Sequence, residues 1–264
     1  MHSMSMETTT SFSRIALSFE DRVARLTLRN PPVNVIDVPM MEELAQIIAQ
    51  VESQQETTVL VIAGDGKSFS AGADVVAHAP DKMQDMLGKF HAVIRTLLKL
   101  RKITIASVHG HCLGGGAELA MVCDLVYTTE SAQWGFPEIK LAFYPPVACT
   151  GLAALIGLKR AAEMILTGRN ISGTEAAQIG LATRAVPDQQ MQRFVEASLQ
   201  GLLRFSPAAL AITKKAFYSW DAMHFDKGLA RAENICFEEL IRTEDAVEGV
   251  RAFLEKREPQ WKGR

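Results

Sequence analysis

From Ile103 to Asp124 the chain reads ITIASVHGHCLGGGAELAMVCD, and no other stretch restricts the fold as much. Ile103 to Val108 is a short, apolar, β-branched run of the kind that makes a buried strand, and Ala117 to Cys123 consists largely of strong helix formers. Gly114, Gly115 and Gly116 lie between them. Lacking Cβ atoms, they let main-chain N–H groups come close to a ligand. N–H groups at the start of a helix bind negative oxygen. Glu118 falls in the first helical turn, so a carboxyl able to act as acid or base stands beside a set of oxyanion donors. A tight connection with no ligand would use the same glycines, and partners elsewhere in the chain must decide between the two. Two are present. Phe69-Ser70-Ala71-Gly72-Ala73-Asp74 follows a strand-like run, Thr57 to Ile62, and offers a second close backbone approach, while Pro137-Glu138, within FPEIKLAFYPP, offers a second carboxyl.

With 264 residues the chain can bury the core of one large domain, or of one domain with an appended subdomain. Its formal net charge of -2 gives no electrostatic reason to expect a nucleic acid partner. Cys112, Cys123, Cys149 and Cys236 show neither a CxxC pair nor zinc-like spacing, which points to a reducing, cytoplasmic compartment. The opening MHSMSMETTTSFSR has no apolar core for a signal peptide, and Glu7 with a single arginine argues against a transit peptide, so a floppy tail is expected. No later run has the length of a membrane span, so no membrane partner is expected. His109 and His111 alternate without a carboxylate or cysteine companion, which points to packing or hydrogen bonding rather than a metal. Gly66-Lys67 superficially resembles the end of a phosphate-binding loop, but Val61 stands where that motif needs its first glycine. The glycines at 110 and 114 to 116 likewise miss the spacing of a dinucleotide fingerprint, so neither nucleotide nor NAD is expected.

Ile15 to Phe19 and Arg22 to Leu28 alternate as a hairpin turning at Glu20-Asp21. Val38 to Glu52 is an amphipathic helix with Pro39 in its first turn, and Thr57 to Ala63 is a strand. A broad apolar stripe that includes Met83, Met86, Leu87, Phe90 and Ile94 predicts a helix from about Asp81 to Leu100; it reads as core, although methionines would also suit an acyl pocket. Its basic residues, Lys89 to Lys102, read as a solvated face. Leu125 to Thr128 extends the alternation, and Trp134 to Pro146 is a loop-rich segment with aromatic residues and prolines. From Gly151 onward the chain is expected to be helical throughout, over Leu152–Ile156, Arg160–Leu166, Gly173–Gly180, Met191–Leu203, Pro207–Ala222, Phe225–Leu240 and a last helix, Thr243–Lys256, with Thr243 as its N-cap. This is an α/β fold with a helical C-terminal subdomain, in which early strand-strand-helix units stand as a candidate structural repeat.

FSAGAD at 69–74, HGHCLGGGAELAMVCD at 109–124, FPEI at 136–139, LTGRNISGTEAAQIGL at 166–181 and the C-terminal EGVRAFLEKREP together resemble the crotonase superfamily, in particular its enoyl-CoA hydratase branch. The resemblance covers nearly the whole chain, in order and in register. It implies a spiral of ββα units over residues 14–200, after the disordered tail that the composition predicts at 1–13, and a helical trimerisation subdomain at 201–264, with assembly as a homotrimer or dimer of trimers. It implies an acyl-CoA thioester as substrate and no cofactor beyond that coenzyme A. The oxyanion hole would be the N–H groups of Ala73 and Gly115, and the catalytic carboxyls Glu118 and Glu138, with base and acid unassigned. Val33, Ala71, Ala73, Asp74, Val75 and Gly114 would contact the substrate and its coenzyme A, with Phe237, Phe253 and Lys256 reaching its adenine and phosphates from a neighbouring subunit.

The sequence departs from the family pattern at Ala142, Pro146 and Ala148, where glycine is usual. Pro146 has no N–H with which to hold the attacking water. Pro145-Pro146-Val147 and the PVNVID run at 32–37 are similar to hydratases of cyclic dienoyl-CoA thioesters. Beside hydration stand isomerisation or decarboxylation through the same enolate, which often dispense with one carboxyl, and a non-catalytic acyl-CoA- or RNA-binding role, which intact Glu118 and Glu138 argue against.

Overall fold

The computed structural model of the protein describes residues 12–79, 81–218 and 221–262, so most of the expected N-terminal tail lies outside the described residues. Strands β1 (Ile15–Glu20) and β2 (Val23–Leu28) form the expected hairpin, Ile15 facing Leu28. It turns at Asp21-Arg22, one residue later than expected. Both have positive φ, 44° and 69°, the backbone that matches a two-residue turn to the twist of its strands. Helix α1 (Val38–Ser53) starts where Asp37 accepts a hydrogen bond from the Met40 N–H. Then follow β3 (Val59–Gly64), α2 (Met83–Lys99), β4 (Ile103–Val108), β5 (His111–Leu113), α3 (Gly115–Met121), β6 (Leu125–Thr129), β7 (Gln133–Gly135), α4 (Pro146–Ile156) and α5 (Leu158–Thr167). The chain continues through β8 (Asn170–Ser172), α6 (Gly173–Ile179), β9 (Arg184–Val186), α7 (Met191–Leu202), α8 (Pro207–Tyr218), α9 (Asp221–Glu238) and α10 (Glu244–Leu254). Thr243 caps α10 as expected, accepting from the Ala246 N–H.

The C-terminal part is not helical throughout. β9 extends the main sheet beside β6, and β8 runs antiparallel to β7. At three residues each, these strands are too short to show an alternation of their own. The segment 134–146 is likewise more than loop: it holds part of β7 and a 3₁₀ turn, Pro137–Leu141, and α4 already starts at Pro146, whose ring suits a first helical position.

Among the described residues, β1, β2, β3, β4, β6 and β9 make one sheet in that order, parallel from β2 onward, and β5, β7 and β8 make a smaller one. The chain winds between two layers. β2, β3, β4 and β6 are each followed by a short extended segment, and these segments pair with one another in the same order: the Ala71 N–H donates to Val33 O at 2.9 Å, Ser70 bridges to Cys112, and β5 pairs with β7. One strand pair per turn makes this a spiral, and corresponding points of successive turns become neighbours. Alternation buries the main sheet on both faces. Leu60 and Ile62 join a core with α1 and α2, whereas Val59, Val61, Ile103 and Ile105 pack under Val195 and Leu199 of α7.

Ala142, at a usual glycine position, is left-handed at φ 59° and ψ 33°. Alanine is strained there and glycine is not. The Ala142→Gly variant is expected to gain up to about 1 kcal/mol in urea unfolding, less the extra freedom glycine gives the unfolded chain.

Candidate active site

The layered winding sets the site. The segment after β3 ends at Ala73, that after β4 at Gly115, and that after β6 at Glu138, so residues far apart in sequence meet at one edge of the second layer. Ala73 bridges Ile36 in parallel: the Ile36 N–H donates to Gly72 O at 2.9 Å and the Asp74 N–H to Ile36 O at 3.3 Å. Amides alternate along an extended chain, so the Ala73 N–H faces the other way. Gly115 opens α3, whose Glu118 N–H bonds Gly114 O at 2.9 Å, leaving the Gly115 N–H as one of the helix's free donors. Among the described residues neither amide has a protein acceptor. They are close together, since a Cβ added to Gly115 would lie 3.3 Å from the Ala73 nitrogen. Gly114 has φ +50°, and a Cβ there would lie 2.7 Å from Glu138 Oε1, so glycine is needed both for the turn and for the carboxyl to come this close.

Glu118 is 3 % exposed, and its Oε1 accepts the Ala148 N–H at 2.9 Å. Ala148 is the third residue of α4, so Glu118 lies at a helix N-terminus. Burial raises its pKa to about 7, against the opposing pull of the Ala148 and Val147 amides. Glu138 is partly exposed as a residue, but its Oε2 is buried with no hydrogen-bond partner. Burial first, and the neighbouring Glu118 charge second, push its pKa well above the usual carboxyl range. Both carboxyls, Ala73 and Gly115 line one small cavity of about 30 Å³.

The other residues singled out from sequence fall into two groups. Val33 and Ala71 are hydrogen-bonded to each other on adjoining segments, and Asp74 caps the 3₁₀ turn Val75–His78 by accepting from the Val76 N–H at 3.0 Å, so these lie beside the Ala73 amide. Phe237, Phe253 and Lys256 do not line the Glu118–Glu138 cavity of their own chain: Phe237 packs against the core, and Phe253 is 54 % exposed. His109 and His111 are hydrogen-bonded to Gly66 O and near Ser68 Oγ. His78, Phe143, Tyr144 and Cys236 also line the cavity, and the sequence assigns none of them a role there. The aromatic pair stood out as a loop composition, but neither His78 nor Cys236 carries a local pattern that marks it.

Strand-strand-helix turns wound between two layers, with helices to follow, put the protein in the crotonase-fold class. It matches the family model "Enoyl-CoA hydratase/isomerase" over residues 18–264. A probable enoyl-CoA hydratase of Bacillus subtilis is 34% identical over 255 residues, 94% of this chain and 98% of that protein. The cyclohexa-1,5-dienecarbonyl-CoA hydratase of Thauera aromatica is 30% identical over 253 residues, 95% of this chain and 97% of that one. Among solved structures, an enoyl-CoA hydratase from Mycobacterium avium subsp. paratuberculosis superimposes with a TM-score of 0.86 at 26% identity, covering 96% of this chain and 100% of that chain. The protein belongs to the enoyl-CoA hydratase/isomerase family.

Proposed function

We propose that this protein adds water across the α,β double bond of an acyl-CoA thioester, as an enoyl-CoA hydratase. The observation that carries the proposal is the meeting of two free main-chain amides and two buried carboxyls at one cavity. Attack of water on C3 moves the double-bond electrons onto the thioester oxygen as an enolate. Preorganised amides of Ala73 and Gly115 stabilise that charge, and loss of one such donor costs roughly 3–4 kcal/mol in other enzymes. Glu118 is the base, because the amides at the start of α4 favour its anion. Glu138 is the acid, because a buried oxygen with no donor keeps its proton. The water oxygen bonds to C3, its proton passes to Glu118, and the Glu138 proton goes to C2 as the enolate collapses. Pro146 offers no N–H, and the Ala148 N–H is already taken by Glu118, so the two carboxyls themselves hold the water.

The test is loss of enoyl-thioester absorbance over a panel of linear, branched and cyclic enoyl-CoAs, with product mass. Gain of the mass of one water is expected. A panel left unchanged would overturn the proposal, and an unchanged mass with a moved double bond would make the protein an isomerase. The cyclic members carry the second reading, favoured by the Thauera relative and by Phe90, Phe143 and Tyr144 in the cavity wall.

A bell-shaped pH dependence of kcat follows. Below about pH 7 the base Glu118 is protonated and activity falls. At higher pH it falls again as Glu138, held well above the usual carboxyl range, loses the proton it must donate. A rate that climbs steadily as pH drops from 7 to 5 would contradict the roles given to the two acids.

The coenzyme A portion would run past Val33, Ala71, Asp74 and Val75, with Phe237, Phe253 and Lys256 supplied by a neighbouring copy in a trimer or dimer of trimers. Exposed Phe253 and Leu254 near the C-terminus suit such an interface. No cofactor beyond the coenzyme A of the substrate enters this scheme. No helix among the described residues is long and apolar enough to cross a membrane, and free cysteines suit a cytoplasmic location.

A further inference from the structure

Helices α2 and α9 both supply wall to the Glu118–Glu138 cavity, and one seam joins them. Met83, Met86, Leu87 and Phe90 of α2 line that cavity, as does Cys236 of α9. Tyr144, also in the wall, donates its hydroxyl to Ala232 O of α9 at 2.5 Å. The seam starts at the cavity, where Cys236 Sγ lies 3.7 Å from Met83 Sδ. Further along, Glu233 accepts from His91 Nδ1 and from Arg95, both at 2.7 Å. Asp226 then meets Arg95 at 3.6 Å and Lys99 at 3.4 Å. Positions 83, 91, 95 and 99 share one ridge of α2, and 226, 233 and 236 share one face of α9.

The seam grades from buried to exposed as it leaves the cavity. The His91 and Glu233 side chains are 0% and 17% exposed, those of Asp226 and Lys99 41% and 64%. Burial lowers the His91 pKa below its ordinary value, so with a neutral ring the seam sets two carboxylates against two cations. His91 Nε2 is buried with no hydrogen-bond partner among the described residues, a cost that an apolar side chain would not carry. Apolar side chains would also hold two helices together as firmly as a buried ionic cluster does. What the cluster adds is register. Apolar ridges slide past one another, whereas Glu233 reaches both His91 and Arg95 in one placement of α9 only.

Register matters because the cavity is small. Its volume of about 30 Å³ has room for about two waters, so the separation of Cys236 and Tyr144 from the α2 wall decides which acyl group enters. The same wall reaches the Gly115 amide, since a Cβ added to Gly115 would lie 3.3 Å from Phe90 Cζ. We propose that Glu233 is a positioning residue that holds α9 in one register on α2 and thereby sets the largest acyl group the site accepts. The inference rests on the hydratase reading and deepens it.

The experiment is titration calorimetry with two saturated thioesters, butyryl-CoA and the bulkier cyclohexanecarbonyl-CoA, on the unaltered protein, Glu233→Ala and Glu233→Gln. Glu233→Ala is expected to shift the ratio of the two affinities toward the bulkier thioester by about 10-fold, the scale on which pockets discriminate acyl size. Glu233→Gln still accepts from His91 and Arg95 and should stay near the unaltered ratio. With the matching enoyl thioesters the same shift should show in KM rather than kcat, because Glu118 and Glu138 are untouched. An unchanged ratio in Glu233→Ala, or both affinities falling by one factor as a merely structural role would give, overturns the inference and leaves the hydratase assignment standing. A shifted ratio without turnover of any enoyl thioester removes the hydratase assignment alone, and failure of the unaltered protein to bind either thioester sinks both. Should Glu233→Ala not fold, Arg95→Met carries the test, since it keeps the His91–Glu233 bond. It should shift the ratio the same way by less, and no shift there overturns the inference equally.

Discussion

Glu118→Gln is expected to lower kcat by about 100- to 10,000-fold, the contribution usual for a positioned general base. Glutamine has nearly the same shape, and its side-chain oxygen can still accept the Ala148 N–H, now at 2.9 Å from the carboxylate. What it lacks is a basic oxygen to take the proton from water. Binding should therefore survive. Titration calorimetry with a saturated acyl-CoA, which cannot react, should give an affinity within a few-fold of the unaltered protein, and stopped assays should give the loss in turnover. Near-normal turnover would remove Glu118 from the chemistry. Lost binding together with lost turnover would mean that the carboxyl serves to anchor α4, whose start it holds.

The largest expected effect on stability lies away from the site, where α8 meets the main sheet. Lys214 of α8 is buried, with a side-chain exposure of 7%, and its ammonium is 2.7 Å from Asp124 Oδ2. That oxygen also accepts from the Thr104 N–H at 2.7 Å and from Thr104 Oγ1 at 3.0 Å, while Lys214 makes a second bond to Lys102 O at 2.9 Å. Asp124→Ala leaves a buried ammonium without its counter-charge, and a loss of about 3–5 kcal/mol is expected. The double variant Asp124→Leu with Lys214→Met removes both charges and should recover most of that loss, because the cost comes from the unpaired ion more than from the missing attraction. Urea unfolding of the single and double variants measures the coupling. Additive losses would show that the pair does not act as a unit.

The same ion pair shows what sequence reading can and cannot reach. Asp124 closes the HGHCLGGGAELAMVCD stretch and Lys214 sits in a predicted helix, yet no local pattern couples positions so far apart. The His91–Glu233 and Arg95–Glu233 contacts, both at 2.7 Å, which tie α2 to α9, are equally silent in the sequence. By contrast, α1, α2 and β4 came out near their observed limits, because each has a long or strongly apolar pattern of a single period. β8 and β9 were missed, being three residues long and made regular only by the neighbours they pair with.

The sequence by itself determined the local chemistry: glycines at 114 to 116 where a strand gives way to a helix, a carboxyl in the first turn of that helix, a second carboxyl at 138, and motifs enough to name the family. Only the tertiary structure decided that the two carboxyls share one cavity and that their environments differ. That difference comes from burial and from the amides of α4 turned toward Glu118 but not toward Glu138, an environment assembled from separate turns of the spiral.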